Sequence, residues 1–446
     1  MHVTVIDVTT GQRHPDQVVV VSGSRISAVG DTVSIPPDAE RIDGRGRFLI
    51  PGLWDMHVHT AHASRAPYYW PLFIAHGVTG VRDMGTFLDS ILYWRSVRDT
   101  LHEPAPRVVW GSPIIDGLAT YDHVIVVHTP AEGRAIVDSM ARLHLGHVKV
   151  YGHLSRETYF AIADEGVRMG IPIVGHIPYR VTPTEAARGG QRSVEHLENE
   201  VESCTPGMLA LNAVMDSVQV VGGTLPPGVA PQLVRTAMLG YDPIACAELA
   251  RVFRERGTFQ TPTLVANRAY YALPPMLGPD DPHRRLVARS VSAQWDSSRA
   301  KFLRNLPPPA VTAAQAALYR SRTALTSMFA HAGVPLLAGT DVADIYGIAP
   351  GVSLQDELKL LVAVGLTPLQ ALQSATLNPA RYLHAADTLG LVAPGYAADM
   401  VLLDADPLAD IGNVVRIRAV IARGRYLDRS SLDRLMELGE RRAGAR

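Results

Sequence analysis

Cysteine is scarce in this sequence, and neither positive nor negative charge is in clear excess. The two cysteines, Cys204 and Cys246, are too few and too isolated to predict a disulfide framework or a thiolate metal site. Lysine and arginine number 42 against 43 aspartates and glutamates, so no basic surplus is available to neutralise the phosphates of a nucleic acid. The sequence therefore predicts neither a disulfide-rich scaffold nor a nucleic-acid partner.

Long apolar runs are also missing. No stretch approaches the roughly 18 apolar residues that a membrane-spanning helix needs. The first residues, MHVTVIDVTTG, lack the basic segment and apolar core that are typical of a secretory signal. These absences predict a soluble, cytoplasmic protein with no membrane partner.

Histidine, in contrast, is plentiful, with 17 residues. Any metal would therefore be held by nitrogen and oxygen atoms rather than by sulfur. The most informative pair, His57 and His59, ends the segment FLIPGLWDMHVHT. Side chains alternate along a strand, so both imidazoles are expected on one face, where they are suitable ligands for zinc or a similar divalent ion. Taken alone, the pair is equally consistent with two ordinary polar residues at a strand end.

The order of apolar segments predicts an α/β protein with a (β/α)₈ TIM barrel. Short apolar segments alternate with helical patterns through the middle of the chain, as in a parallel barrel. The predicted strands are residues 49–57, 78–84, 107–114, 147–151, 171–177, 193–197, 258–264 and 335–341. The predicted helices are residues 130–145, 155–170, 318–333, 353–365 and 368–383.

Both ends of the chain are rich in β-branched residues. Residues 1–50 and 387–446 are predicted to meet in one small β-sandwich domain, with the barrel, residues 51–386, inserted between them. Two unrelated β appendages are the alternative. Segments 200–242 and 266–309 carry proline and glycine clusters and are interpreted as loops or lids rather than as extra barrel units.

Residues suited to metal binding recur where the predicted strands end, which is where barrel enzymes place their active sites. They are His57, His59, Lys149, His176, His196 and Asp341. Each has an ordinary explanation: a surface lysine with an apolar stem, a core histidine, or an aspartate that caps a helix. Together, at successive strand ends, they favour a metal site over six unrelated polar residues.

The motifs around these residues resemble those of the amidohydrolase superfamily, which comprises metal-dependent hydrolases on a (β/α)₈ barrel. The resemblance covers nearly the whole chain and rests on PGLWDMHVH, GVTGVRDMG, HVKVYGHL, GIPIVGHIP, SVEHLE and LLAGTD. Two later segments, LTPLQALQSATLNPARYL and GYAADMVLLDADPL, are similar to the closing helix and the returning sheet domain of imidazolonepropionase-like and prolidase-like members. The segment PIIDGLATYDHVIVVHTP differs from the Gly/His-rich loop of many prolidase-like relatives, so their substrates do not carry over directly.

The resemblance implies a binuclear metal centre. His57, His59 and Asp341 would bind the first ion, and His176 and His196 the second. Lys149 matches the lysine that binuclear members carboxylate with CO₂, because the carbamate is an anion whose two oxygens can bridge two cations. The implied cofactors are two divalent ions, zinc first with Mn²⁺ or Co²⁺ as alternatives, and the CO₂-derived carbamate on Lys149.

The predicted reaction is hydrolysis of an amide-type C–N bond in a small molecule: a dipeptide, an N-acyl amino acid or a cyclic amide. Water activated on the metal would be the nucleophile, with Asp341 as the proton shuttle and the catalytic residue. Tyr151, His153 and His123 are weaker candidates for substrate binding. Arg82 and Asp83 are interpreted as a structural ion pair beneath the site. Barrels of this type often associate, so a homo-oligomer is expected.

Two alternatives remain open at this point. The first is a mononuclear deaminase or cyclic amidohydrolase that uses His57, His59, His176 and Asp341, with Lys149 in a structural role. The second is a non-catalytic barrel that binds a metabolite. Metal content and the activity of a Lys149→Ala variant discriminate the first alternative from the binuclear hydrolase.

Overall fold

The computed structural model describes residues 1–62, 64–101, 103–272, 281–342 and 345–445. In the first part of the chain, the strands are β1 (Val3–Ile6), β2 (Arg13–Ser22), β3 (Arg25–Gly30), β4 (Phe48–Pro51), β5 (Leu53–Val58), β6 (Val78–Asp83), β7 (Arg107–Asp116) and β8 (Val124–Val126). The later strands are β9 (His147–Val150), β10 (Ile173–Gly175), β11 (Ser193–Glu195), β12 (Phe259–Thr261), β13 (Met400–Leu403), β14 (Ile417–Ala422) and β15 (Arg425–Asp428).

The first helices are α1 (Ala66–Ala75), α2 (Leu88–Val97), α3 (Pro130–Arg142), α4 (Arg156–Met169), α5 (Pro183–Arg188), α6 (Glu200–Cys204), α7 (Met208–Val220) and α8 (Val229–Leu239). The later helices are α9 (Pro243–Arg256), α10 (Leu264–Asn267), α11 (Arg289–Arg304), α12 (Pro309–His331), α13 (Val352–Ala363), α14 (Pro368–Ser374), α15 (Leu377–Tyr382) and α16 (Arg429–Gly444). Within the described ranges, no helix combines the length and apolar character needed to cross a membrane.

The two ends of the chain meet in one sheet, with the strand order β15-β14-β13-β4-β1-β2-β3. β4 pairs in parallel with β1 and antiparallel with β13, so the N-terminal and C-terminal halves of the sheet join at β4. The predicted single strand at 49–57 is therefore wrong, because its first residues belong to this sheet and the rest to the barrel. The chain crosses at Gly52, where a Cβ atom would collide with the side chain of Thr79.

The predicted (β/α)₈ barrel is confirmed. Its strands are parallel and follow the order β5-β6-β7-β9-β10-β11-β12. The short strand β8 pairs with the C-terminal end of β7. All six residues of β5 and of β6 are buried, as expected for strands covered on both faces. The eighth position is filled by a segment that forms single parallel bridges, Gln260 with Leu336 and Val58 with Val342, rather than the regular strand predicted at 335–341.

Segment 200–242, interpreted above as a loop or lid, is largely helical and contains α6, α7 and α8. Segment 266–309 contains a π-helical turn, Arg268–Ala272, and α11, while residues 273–280 lie outside the described residues. Most of both segments is therefore helical rather than loop, and, as predicted, their described residues add no strand to the barrel. Proline and glycine clusters marked the boundaries of short helices here, because helices tolerate proline in the first turn and glycine next to their ends.

The prediction from the two cysteines also needs correction, because Cys204 and Cys246 form a disulfide. The residues are 42 positions apart in sequence, but their Cα atoms lie 5.3 Å apart. The backbone N–H of Asp242 donates to the carbonyl of Cys204 at 2.7 Å, which returns the chain to α6 just before α9 begins. Both cysteines are buried at the base of the α7–α8 hairpin.

Candidate metal centre

A cavity of about 630 Å³ lies at the C-terminal ends of the barrel strands. Its lining includes every residue predicted from the sequence as a metal ligand: His57, His59, Lys149, His176, His196 and Asp341. These side chains come from positions up to 284 residues apart, which the barrel brings together because parallel strands end at the same face. His57, His196 and Asp341 each place a ligand atom within 4.8 Å of the other two.

His57 is oriented by a buried carboxylate. Its Nδ1 lies 2.8 Å from Oε2 of Glu195, and neither side chain is exposed to solvent. Burial lowers the pKa of His57 well below its ordinary value, and the nearby Lys149 lowers it further, so the ring is neutral. Since a carboxylate only accepts, we assign the ring proton to Nδ1, which leaves a lone pair on Nε2.

His59 is held in the same way by the backbone. Its Nδ1 lies 2.7 Å from the carbonyl oxygen of Gly85, an acceptor, so a neutral His59 also carries its proton on Nδ1. The Nε2 atoms of His57 and His59 each lie 3.3 Å from the same atom, Oδ1 of Asp341. Imidazole nitrogens and a carboxylate oxygen are donor types that zinc accepts, so the residues gathered around this oxygen fit a divalent metal ion.

Asp341 is the acidic member of this group. Burial alone would raise its pKa, but His196, His59 and Lys149 outweigh that effect and hold the pKa below its ordinary value. Its backbone has a positive φ of 58°, a conformation that is costly for a residue with a side chain, and its N–H donates to the His57 carbonyl at 2.8 Å. The carboxylate is therefore ionised and pointed into the cavity by the backbone itself.

His176 and His196 approach the cavity from the next two strands. The Nδ1 of His196 lies 2.7 Å from the Thr263 hydroxyl, and the His57 and His196 rings are 4.5 Å apart. The Nδ1 of His176 pairs with Oε2 of Glu198 at 2.8 Å, and its ring stacks on Tyr151 with centroids 4.0 Å apart. Glu198 is thus an additional cavity carboxylate beside the predicted ligands.

Lys149 is almost completely buried, at 1% exposure, yet it faces the cavity. Within the described part of the chain, no acceptor or carboxylate lies at bonding distance from its Nζ. Burial lowers the pKa of Lys149 to about 8, although Glu195 and Asp341 oppose the shift. A buried, unpaired ammonium is unfavourable, so this amine is suited to a reaction that gives it a charged partner or a new functional group.

Two glycines make room for this arrangement. A Cβ atom on Gly339 would lie 2.9 Å from the Cβ of His57, so the chain leading to Asp341 passes the first histidine without a side chain. Gly175 has a φ of 119°, and a Cβ there would lie 2.8 Å from Cδ of Lys149. Larger residues at either position would displace a predicted ligand.

A buried ionic network lies beneath the site, and its pairing differs from the prediction. Arg82 donates from Nη2 to both carboxylate oxygens of Glu195 at 2.9 Å, and from Nη1 to Ser193 at 2.8 Å. Asp83 instead accepts the backbone N–H groups of Thr60 and Ala61, each at 2.7 Å. The predicted Arg82–Asp83 ion pair is therefore wrong, because neighbouring residues in a strand point to opposite faces.

Asp55 fastens the first strand to the segment in the eighth position. It accepts from the backbone N–H of Thr340 at 3.0 Å and from its hydroxyl at 2.7 Å. Burial raises the pKa of Asp55 to about 7, with the hydrogen bonds from Thr340 and His57 opposing the shift. Because Asp55 lies two residues before His57 and Thr340 directly precedes Asp341, these hydrogen bonds hold the two predicted ligands at a fixed distance.

Replacing Glu195 with glutamine is expected to weaken zinc binding by about 10-fold to 100-fold, the usual cost of removing an orienting partner of a metal-binding histidine. Glutamine keeps an acceptor near His57 but leaves Arg82 without its buried counter-charge, so the thermal midpoint should fall as well. Competition with a chelator measures the affinity of the folded protein, and Glu437→Gln, an exposed change, is the control. Unchanged zinc affinity would show that Glu195 does not orient His57.

Only two of the three residues predicted to bind substrate line the cavity. Tyr151 and His123 line the cavity, together with Tyr121, which stacks on His123 with ring centroids 5.6 Å apart. His153 does not belong to the lining. Its Nδ1 instead pairs with Asp216 of α7 at 2.8 Å, which raises the pKa of His153 and ties the α7–α8 hairpin to the barrel.

Several lining residues were missed in the sequence: Glu198, Arg65, Tyr270, Tyr271 and Arg322. Glu198 and the orienting Glu195 were detectable, since both flank His196 within SVEHLE and a buried strand rarely carries acidic residues without a reason. Arg65 lies in the turn before α1, and the other three lie on helical segments outside the barrel strands. No periodic signal indicates which face of such a segment meets the cavity.

The fold and the site define a class: a (β/α)₈ barrel protein with a possible metal site of histidines and an aspartate at the strand ends. Comparison with known proteins narrows this class. The sequence profile of the amidohydrolase family matches residues 48–427. This chain belongs to the amidohydrolase family, whose members are enzymes that act on carbon–nitrogen bonds and generally use divalent metals.

Individual relatives are more distant. The imidazolonepropionase of Rubrobacter xylanophilus is 26% identical over 414 residues, which cover 87% of this chain and 84% of that protein. The adenine deaminase of Desulfitobacterium hafniense is 42% identical over only 72 residues, 16% of this chain and 11% of the deaminase. The matched part therefore spans a small fraction of that deaminase.

Solved structures share the fold along almost the entire chain. Bottromycin amidohydrolase superposes with a TM-score of 0.76 at 25% identity, covering 99% of this chain and 89% of that one. A putative prolidase from Bifidobacterium longum gives a TM-score of 0.67 at 20% identity, with coverage of 98% and 97%. The prolidase likeness concerns the fold alone.

Proposed function

We propose that this protein is a metal-dependent hydrolase that cleaves an amide-type C–N bond in a small molecule, such as a dipeptide, an N-acyl amino acid or a cyclic amide. The observation that carries the proposal is the meeting of His57 Nε2 and His59 Nε2, each 3.3 Å from Oδ1 of Asp341. Two imidazole nitrogens meet one carboxylate oxygen here, and His196 places a third nitrogen nearby, so the donor set supports a metal site. Family membership and the similarity to an amidohydrolase support the bond type.

The donor set supports two metal positions. His57, His59 and Asp341 would hold one ion, and His176 and His196 the other, and a carboxylated Lys149 would add two oxygens to the donor set. A divalent ion bound here would lower the pKa of water from about 15.7 to about 7 and polarise a substrate carbonyl. The residues of the chain supply the remaining functions: they orient the substrate and move the proton.

Asp341 is proposed as the proton shuttle. Its carboxylate is ionised, since nearby histidines hold its pKa below the ordinary value, and it projects into the cavity. It would accept a proton from the attacking water at a carboxylate oxygen and return that proton to the departing nitrogen. The C–N bond then breaks to give a carboxylic acid and a neutral amine.

The environment of Lys149 supports the proposed carboxylation. With a pKa of about 8, a useful fraction of the amine is neutral near pH 7, and only the neutral amine can attack CO₂. The new N–C bond forms with loss of a proton, and the product is a carbamate anion with two oxygens. Such an anion would offset the positive charge of a divalent ion held in the cavity.

A second candidate is a cyclic amidohydrolase with a single metal, in which Lys149 is structural. The observation that favours it is the extent of the imidazolonepropionase match, 87% of this chain. In this hypothesis His57, His59, His176 and Asp341 would hold the ion. Ring opening of a cyclic amide needs the same water activation and proton transfer, so metal stoichiometry separates the two candidates.

The direct test is turnover by zinc-loaded or manganese-loaded protein of a panel of dipeptides, N-acyl amino acids and lactams, followed by amine release. We expect hydrolysis of at least one of these classes, and its loss when the metal is removed with a chelator. Restoration by added zinc excludes irreversible damage. No turnover by fully metal-loaded, folded protein across all three classes would contradict the proposed function.

A further inference from the structure

A second cavity of about 310 Å³ lies behind one wall of the metal-site cavity. It runs between α12 and the α7–α8 hairpin, and we call it the rear groove. Glu198, Tyr271 and Arg322 line both the metal-site cavity and the rear groove. These three side chains therefore separate the two cavities, and we call them the partition. A substrate too long for the metal-site cavity would extend past the partition into the rear groove.

The interior of the rear groove is largely apolar. Its walls include Met208, Met215, Leu233, Val234, Ala314 and Leu318. Several of them belong to a separate apolar cluster between α7, α8 and α12. Methionine side chains are flexible and adapt to irregular apolar partners, so two of them in one groove favour an aliphatic occupant over a rigid polar one.

The partition is polar and incompletely satisfied. Arg322, at 3% exposure, donates to Oδ1 of Asn267 at 2.7 Å and to Oε1 of Glu202 at 3.2 Å, and stacks 4.4 Å from the centre of the Tyr271 ring. Within the described residues, Arg322 Nε and Glu202 Oε2 are buried without a hydrogen-bond partner. Buried polar atoms are usually paired, so an ordered water at the partition would satisfy these two atoms.

The partition also includes a segment of unusual backbone. Tyr271 lies in the π-helical turn Arg268–Ala272, where an extra residue enters the helical winding. Such turns are rare and occur frequently at functional sites, because they change the direction of neighbouring side chains. Here the turn places Tyr270 in the metal-site cavity and Tyr271 against both cavities.

We propose that the rear groove is a substrate subsite that takes the aliphatic chain of an N-acyl amino acid whose amide bond lies at Asp341. This inference rests on the proposed function and narrows its substrate class. The chain passes the partition formed by Glu198, Tyr271 and Arg322 and packs against the apolar walls. The polar amide and the carboxylate of the substrate stay in the metal-site cavity, where the charged groups are.

The test compares N-acetylglycine with N-decanoylglycine as substrates of the zinc-loaded wild-type protein and of an Ala314→Phe variant. Ala314 is 5% exposed, and a phenyl group there would fill the groove from α12. We expect kcat/KM for N-decanoylglycine to fall at least about tenfold, and that for N-acetylglycine to stay within about twofold. Ala313→Phe, at the exposed neighbouring position of the same helix, is the matched control and should change neither value.

A second variant shows whether a folding defect of Ala314→Phe protein explains its effect. A binding measurement shows whether the groove holds the chain when no hydrolysis occurs. Met215→Trp narrows the same groove from α7 and should produce the same selective loss. Calorimetric titration of both compounds into zinc-loaded Asp341→Asn protein measures affinity without hydrolysis, and tighter binding of N-decanoylglycine is expected. If the wild-type protein hydrolyses dipeptides or lactams but neither of these compounds, the substrate subsite is overturned while the proposed function remains. Equal affinity for the two compounds would overturn the subsite.

Discussion

Asp341→Asn protein is expected to retain most of its metal and to lose about 100-fold to 10,000-fold of its turnover, the usual contribution of a positioned general acid–base group. The amide of asparagine keeps an oxygen in the place of Oδ1, between the Nε2 atoms of His57 and His59. It cannot accept the proton of the attacking water, however, because it has no basic oxygen near neutral pH. The loss should therefore appear in kcat far more than in KM.

Metal content by atomic absorption and steady-state kinetics on the same preparation test this expectation. Asp164→Asn, a change at a side chain that is 71% exposed, is the control and should behave like the wild type. Near-normal turnover in Asp341→Asn protein would remove the proton shuttle from the mechanism. Loss of both metal and turnover would instead show that the carboxylate acts chiefly as a ligand.

If the proposed binuclear centre is correct, Lys149→Ala protein is expected to bind about one zinc per chain instead of two, and to lose at least about 100-fold in kcat/KM. The physical reason is that the variant has no amine to carboxylate, so no anion lies between the two metal positions to offset their mutual repulsion. A small carboxylate such as propionate carries two oxygens and fits the space left by the side chain. Added propionate should therefore restore part of the activity.

The control for this variant is Lys301→Ala, since Lys301 is exposed on α11. Dependence of wild-type activity on dissolved CO₂ during metal loading gives a second readout, because the proposed carbamate on Lys149 would form only in its presence. Full activity of Lys149→Ala with one zinc per chain would contradict the binuclear proposal. That result would support the cyclic amidohydrolase with a single metal.

The charges around the site explain why one end of the barrel tolerates so many ionisable groups. Arg82 and Glu195 neutralise each other beneath His57, and both are completely buried. Burial would raise the pKa of Glu195, but Arg82 and Lys149 outweigh that effect and hold it below its ordinary value. His57 therefore always meets an ionised acceptor, which keeps its ring orientation constant.

Features that depend on neighbouring residues in the chain could be predicted from the sequence, whereas features that depend on contacts between distant segments could not. The alternation of buried strands with helices determined the barrel, because strand and helix periods are local properties of the chain. The candidate ligands followed from the same pattern, since the end of each parallel strand faces the same cavity whatever the details of packing. The return of the C-terminal strands to the N-terminal sheet was likewise visible as β-branched runs at both ends.

Other features were decided only by the tertiary structure. Glu195 rather than Asp83 pairs with Arg82, and Cys204 meets Cys246, because contacts between distant segments depend on strand register and helix direction. Arg322 and Tyr271 reach the partition from outside the barrel strands, where no repeat in the sequence marks the inward face. Periodicity tells which side of a single element is buried, whereas the identity of its neighbour depends on how all the elements pack together. The sequence by itself therefore determined the barrel and the candidate ligands, and the tertiary structure decided the supporting contacts and the rear groove.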